Sequence, residues 1–526
     1  MSRLSRFAAA LAGAALAAVA AAASAQELTI GLSTPVTTMD PHFHNLTPNI
    51  AAGKHIFETL VDQDSQQALK PGLAESWRVL DSTTWEFKLR KNVRWHDGTP
   101  FTAEDVLATL RRVPVVPNSP ASFGIYTRSV IDAKAADAHT VIMKTREPHP
   151  LLPNDLAQVL IIQRKTEGAS TQDFNSGKAA IGTGPYRFVE YLSGDRIVLA
   201  ANEKYWGPKP AFSKVRFRMI TNPAARVAAL LAGDVQMVES VPTADIEKLR
   251  KDPRVALASA VSNRIIYLHM DSAREKNSPF VTDAAGRPME ANPLRDPRVR
   301  RAISKLIDRS AIASRIMEGE AQPAGQFLPE TFQGTSKKLP PDKYDPEGAR
   351  KLLAEAGYPN GFGLTLHTPN NRYINDEKVA QAVAQFLTRG GIPTKVEAMP
   401  SAVFFSRASK LEFSFLLAGW GAGTGENSSP LRSLVATFDP KLGNGAANRG
   451  RFSDAGVDAL IQTALSTIDD TKRGIMLAAA TEKAVGELMG VIPLHYEVST
   501  WGVKKGLAYK ARVDQLTLAY EVKQGR

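Results

Sequence analysis

The chain opens on an export leader and contains no cysteine, and together these limit what it can fold into. Arg3 and Arg6 give a positive start. An Ala-, Leu- and Val-rich run covers 7–22, and Ala23, Ser24 and Ala25 supply the small-x-small pattern that a signal peptidase requires. The run is too short and too Ala-rich for a spanning helix. Cleavage after residue 25 is expected, leaving a protein that works outside the cytoplasm without an anchor. Without cysteine there is no disulfide framework, no thiol chemistry, no thiolate metal site and no lipidated N-terminus. A chain of 526 residues must then be held by its buried core, and it is long enough for about three domains.

The formal net charge is +12. Basic residues are interspersed with acidic ones, as where Arg298, Arg300, Arg301 and Lys305 are followed by Asp308. No basic run is interleaved with aromatics, so nucleic acid is not an expected partner. The charge reads as a solvated surface with some attraction for anionic solutes.

Periodicity predicts mixed α and β structure. Trp85, Phe87 and Leu89 alternate with polar residues over 84–90, the pattern of a half-buried strand. Asp97, Gly98 and Pro100 then turn the chain, and Thr102 with Asp105 makes a capping-box pattern ahead of Val106, Leu107 and Leu110. Val215, Phe217 and Met219 alternate in another strand, followed by a helix over 224–232 that stops at Gly233. Asp296-Pro297 and Asp345-Pro346 each place an N-cap before a Pro at the first helical position. A further helix is expected over 376–387, and strands over 394–398 and 411–418. Helix followed by strand, repeated, predicts α/β layers.

No catalytic constellation stands out. There is no G-x-S-x-G elbow, no H-E-x-x-H and no phosphate-binding P-loop. Asp40, His42 and His44, with His55, can be drawn as a metal site, but the same residues also read as a polar loop. The balance shifts toward a protein that binds and releases. A secreted hydrolase using scattered carboxylates is the enzymatic alternative, and substrate turnover would separate the two.

Several segments resemble the family 5 extracellular solute-binding proteins of ABC importers, which include dipeptide-, oligopeptide-, nickel- and glutathione-binding proteins. They are 73–77, 85–90 and 93–106; the Gly182, Thr183, Gly184, Pro185, Tyr186 element; Asn202 with Tyr205 and Trp206; the Ala232 to Val235 turn; the helix from Arg301 to Arg309; and the stretch from Tyr344 to Tyr358. The resemblance spans nearly the whole mature chain. It implies an α/β, two-lobed periplasmic-binding-protein fold of type II, with three domains and an interlobe ligand cleft. The implied division is 26–62, 184–266 and 497–526 for a discontinuous domain I, 63–183 for an inserted domain II and 267–496 for domain III. Crossover strands near 264–270 and 494–500 would act as hinges. The implied function is a non-enzymatic periplasmic receptor, monomeric and without cofactor, that delivers a small ligand, a peptide or peptide-like molecule, to the permease subunits of an ABC importer. A nickel or metallophore receptor of the same fold is the alternative.

The resemblance also nominates a site. Arg372, next to Tyr373, matches the segment whose Arg pairs with the ligand carboxylate in dipeptide binders, where a guanidinium fork can make two parallel hydrogen bonds. Trp420, flanked by Gly419 and Gly421, resembles the family loop whose Trp walls the cleft while adjacent backbone approaches the ligand. Peptide binders often carry an Asp three residues after this Trp to hold the ligand ammonium, where this chain has Gly423. Glu426 is the nearest carboxylate and is followed by Asn427, so either Glu426 takes the amine or the ligand lacks one there. His42 resembles a residue of the loop at the cleft floor, and His495 one of the crossover.

Overall fold

The computed structural model describes residues 27–525; the leader expected over 1–25 lies outside them. The largest assembly is a 12-stranded sheet. Two of its strands, Val255–Met270 and Val491–Lys504, far exceed the others in length and run antiparallel side by side. At 3.3 Å per residue, 16 residues span about 50 Å, enough to traverse two lobes. Their ends have different partners. Val503 and Gly502 pair with Met237 and Val238, and the sheet continues through Glu27–Leu32, Lys214–Met219, Arg196–Ala201 and Tyr186–Leu192 into the first lobe. Arg264 to Met270 pair instead with Phe415–Gly421, which leads through Gly363–Pro369 to Thr394–Met399 in the second lobe.

Between these ends the pairing is interrupted. Val261 lies opposite Val498, and Ile265 lies opposite Tyr496. Ser262, Asn263 and Arg264 therefore stand against Glu497 alone. A bulge of this kind bends a strand and re-aims its side chains, and it falls where the sheet passes from one lobe to the other.

Each lobe has its own buried residues. In the first, Leu28, Ile30, Val215, Phe217 and Trp501 pack together, while Arg216 and Arg218 face out, as alternation predicts. Beside them lies a four-stranded antiparallel sheet of Ala74–Asp81, Thr84–Leu89, Thr140–Thr145 and Val130–Asp137. Trp85, Phe87, Val141 and Met143 form its core with Val106 of the helix Ala103–Arg112. Asp105 caps that helix, its Oδ2 accepting from the Thr102 N–H at 2.9 Å.

The second lobe is a sheet covered on both faces. Ile266, Leu268, Leu366 and Leu417 pack against the helices Pro297–Lys305 and Asp376–Arg389. Ile265, Tyr267, Leu416 and Ala418 pack against Ala455–Ser466 and Asp470–Thr481. The period of two sorts one strand's neighbours into two cores. Asp296 and Asp345 are N-caps as expected, accepting from the Arg298 and Gly348 N–H groups at 2.8 and 2.9 Å.

One element departs from its sequence expectation. The strand expected over 411–418 runs over Phe415–Gly421. Leu411 adopts φ +59° and the Glu412 N–H returns to the Arg407 carbonyl at 3.2 Å, so these residues close the preceding helix, Ser401–Ser409. Trp420 therefore lies within the strand, opposite Ile265, and not beyond its end. Among the described residues no helix is long and apolar enough to cross a membrane.

Candidate functional site

The bulge forms the floor of the junction between the lobes. Ser262 Oγ donates to the Glu497 carbonyl at 2.9 Å, and the Asn263 N–H donates to the Val513 carbonyl at 2.8 Å. Arg264 projects toward the paired strand, where its cross-strand partner is Gly421. A Cβ on Gly421 would sit 3.1 Å from an Arg264 terminal nitrogen, so the missing side chain is what lets the guanidinium lie over this strand. Gly419 does the same for Tyr373: a Cβ there would meet the ring at 2.8 Å, and the Tyr373 hydroxyl donates to the Gly419 carbonyl at 3.1 Å.

Arg372 and Tyr373 occupy the turn between Gly363–Pro369 and the helix Asp376–Arg389. Asp376 Oδ2 fixes this turn by accepting from the N–H groups of both residues, at 2.9 and 3.0 Å. Glu497 anchors the next residue, its Oε1 accepting from the Ile374 N–H at 3.0 Å. The Arg372 side chain is exposed, its guanidinium lies 5.3 Å from the Tyr373 ring centroid, and it forms no ion pair among the described residues. The structure thus brings together Arg372, Tyr373, Gly419 and Gly421 on one face of the second-lobe sheet. Trp420 faces the opposite way, half-buried with Ile265 in the other core, its Nε1 donating to Ser429 Oγ at 3.2 Å.

The loop after Trp420 reaches the first lobe. Five amide side chains converge on three successive carbonyls. Asn263 and Gln67 donate to Ala422 O at 2.9 and 3.2 Å. Gln67 and Gln158 donate to Gly423 O, both at 2.9 Å. Asn154 and Gln63 donate to Thr424 O at 2.8 and 3.4 Å. Of the five, Asn263 comes from the bulge and the other four from the first lobe. Gly423 thus presents its carbonyl to the first lobe. Nothing in the sequence marks these amides, since Gln and Asn at a contact follow no periodicity.

The remaining candidate residues are all buried. Glu426 is buried and already paired: Arg473 Nε donates to its Oε1 at 2.6 Å and Ser428 Oγ to its Oε2 at 3.1 Å. Asn427 is fully buried and donates to Gly334 O at 2.8 Å and Thr481 Oγ1 at 2.7 Å. His495 is fully buried in the crossing strand with neither ring nitrogen hydrogen-bonded, and burial pulls it down to about 4. His42 is buried too. Its Nε2 donates to the Leu160 carbonyl at 2.7 Å while Arg112 donates to its Nδ1 at 2.9 Å. Burial and the Arg112 charge pull it down to about 4. Arg112 also binds both oxygens of Asp40, at 2.9 and 2.7 Å. Asp40 and His42 are therefore occupied by a guanidinium, and among the described residues no group of three or more acidic or imidazole side chains is placed to hold a metal ion.

Comparison with known proteins defines the class. The sequence profile described as bacterial extracellular solute-binding proteins, family 5 Middle, matches residues 68–440. The chain belongs to this family and is a solute-binding protein. The glutathione-binding protein GsiB of Escherichia coli K12 is 29% identical over 471 residues, covering 87% of each chain. The periplasmic binding protein DppA of Helicobacter pylori, solved with the peptide STSA, superposes with a TM-score of 0.79 at 23% identity, covering 95% of this chain and 98% of that one. The binding protein AgaA of A. tumefaciens R10, solved with agropinic acid, gives a TM-score of 0.76 at 25% identity, covering 95% and 99%.

Proposed function

We propose that this protein is a periplasmic receptor that captures a peptide-like ligand at the lobe junction and passes it, chemically unchanged, to the membrane subunits of an ABC importer. The observation that carries this reading is the exposed Arg372 guanidinium, on a turn whose backbone is held beside the crossing strands by Asp376 and Glu497, and free of any ion pair among the described residues. A fixed turn that presents an unspent guanidinium is suited to a ligand carboxylate. The relatives named for glutathione and crystallised with a peptide support the ligand class. The leader sequence supports export, and the separate cores of the two lobes support the division into a discontinuous first domain, an insertion and a third domain.

The ligand contacts that follow are Arg372 for a carboxylate and the Gly419 to Gly423 backbone beside it. Glu426 has no free carboxylate to offer, so the ligand needs no ammonium at that place. This favours a γ-linked or otherwise modified peptide over a simple dipeptide. Closure of two lobes on a ligand shifts a conformational equilibrium: only contacts made to both lobes favour the closed form.

Native mass spectrometry tests the reading. The protein is incubated with glutathione and a pool of di- to pentapeptides, then desalted. One intact ligand per chain is expected, and Arg372→Ala should weaken its binding by about 1.5–3 kcal/mol. Cleaved ligand in the eluate would identify an enzyme, and no retained mass from either source would remove peptides as the ligand class.

A further inference from the structure

Arg264 enters the sequence reading only as the start of an expected crossover strand, yet its surroundings are those of an incomplete site. Its side chain is 11% exposed. Its Nε donates to Gln515 Oε1 at 2.9 Å and stands 3.5 Å from Glu497 Oε2. The two terminal nitrogens, with four N–H groups, have no partner among the described residues. Glu497 pairs with the Nε edge only and is shared with other donors. Glu497 accepts from the Ile374 N–H and from Gln515 Nε2, at 3.0 and 3.3 Å. Asp376 accepts from the N–H groups of Arg372, Tyr373 and Glu377. Neither terminal nitrogen is among the fully buried unpartnered atoms, so the fork opens to solvent, where a ligand acceptor can replace water.

The position of that fork is also built. Gln515 comes from the C-terminal segment and itself donates to Ser499 Oγ at 2.9 Å, which sets the plane of the guanidinium from the first lobe. Gly421 clears the second-lobe side. Tyr373 lies over the neighbouring Gly419, with Arg372 against its ring. The two arginines are close enough that the Arg372 charge, added to burial, pulls the Arg264 guanidinium below its ordinary value. Two like charges held together with unspent donors call for an anion between them.

We propose that Arg264 is a ligand-binding residue, and that its fork and the Arg372 guanidinium together receive an oxyanion of the ligand, a carboxylate, at the junction of the lobes. Arg264 is fixed by the crossing strands and by Gln515, whereas Arg372 belongs to the second lobe. A carboxylate shared between them therefore bridges the junction, and an uncharged analogue of the same shape loses that bridge. This rests on the reading of the junction as the ligand site, and it makes a negative charge the selected feature.

The test uses the full mature chain and three probes: one random tripeptide pool with free C-terminal acids, the same pool as C-terminal amides, and a pool of non-peptide mono- and dicarboxylic acids. Affinity is read by competition in native mass spectrometry. The expected result is that the acid peptides bind at least 10-fold tighter than the amides. Arg264→Gln should weaken the acids by about 10- to 100-fold and leave the amides unchanged. Gly421→Ala keeps the arginine and needs no left-handed backbone, but crowds its fork, and should weaken the acids in the same direction if Arg264→Gln does not fold. Binding of the non-peptide acids alone, with the same loss in the variants, would uphold the anion site and overturn the peptide reading. Equal binding of acids and amides, unchanged affinity in folded variants, or no binding by any anionic probe would overturn the role of Arg264.

Discussion

A charged side chain serves a ligand only if its own chain has not already spent it. Glu426 and Arg372 were both candidates in the sequence, each a charged residue in a loop beside a strand. The structure separates their surroundings: Glu426 is buried on Arg473, and Arg372 is exposed and without an ion pair among the described residues. Removing one member of a buried pair leaves an uncompensated charge and costs about 3–5 kcal/mol. Glu426→Gln is therefore expected to lower thermal stability strongly while leaving the ligand affinity of the surviving folded protein unchanged. A normal melting temperature with lost affinity would return Glu426 to the site. The same distinction explains what the sequence could not show at this scale. Arg264 sits in an ordinary-looking strand, and only the bulge beside it and the glycine across from it reveal an unmatched fork.

Most secondary-structure elements were legible because they obey a period. The strand carrying Val215 and Phe217 and the helices capped by Asp296 and Asp345 all lie where alternation and capping chemistry place them. The strand ending in Trp420 did not, because its apolar run begins in the residues that close a helix, and only the left-handed Leu411 marks the boundary. The bulge was equally hidden: Ser262, Asn263 and Arg264 are polar residues inside a strand, and no local rule says that three will oppose one. The contact made by residues 422–424 is an element-scale feature of the same kind. Four of its five donors, Gln63, Gln67, Asn154 and Gln158, belong to the first lobe, so their hydrogen bonds exist only when the lobes are together. At about 0.5–1.5 kcal/mol each, the three loop hydrogen bonds removed by Gln67→Ala with Gln158→Ala should cost about 1.5–4.5 kcal/mol of closure. The double variant is expected to bind ligand about 10- to 2,000-fold more weakly, chiefly through faster dissociation, with its melting temperature in the absence of ligand little changed. Unchanged dissociation kinetics would mean that the amides do not hold the lobes together.

At the scale of the whole molecule, a cysteine-free chain is held by several hydrophobic clusters and by polar groups buried between them, and some of those groups titrate. His42, His55 and His495 are fully buried, and burial pulls each from 6.5 down to about 4. A depressed folded value means that their contribution is complete above pH 6.5 and lost as pH falls toward 4. Glu58 acts oppositely: burial pushes it from 4.5 up to about 7, so its contribution is complete below pH 4.5 and lost as pH rises to 7. His96 and His269 are pulled the same way, to about 4 and about 3, so the histidines outweigh this carboxyl and urea midpoints should fall between pH 6.5 and 4.5. His495→Leu removes no hydrogen bond and should flatten that slope without loss of stability at neutral pH. A midpoint independent of pH across this window would show that the histidines are not buried neutral.

The central claim is that the two lobes, joined by a pair of long strands, close over a ligand. The absence of native cysteine permits a direct measurement. Asp132→Cys in the first lobe and Lys472→Cys in the second, both exposed positions, can carry a fluorescence donor and acceptor. Energy transfer between them is predicted to change in a single saturable step on addition of an anionic peptide, and to return when the ligand is dialysed away intact. A transfer efficiency that stays constant while ligand binds stoichiometrically would contradict closure.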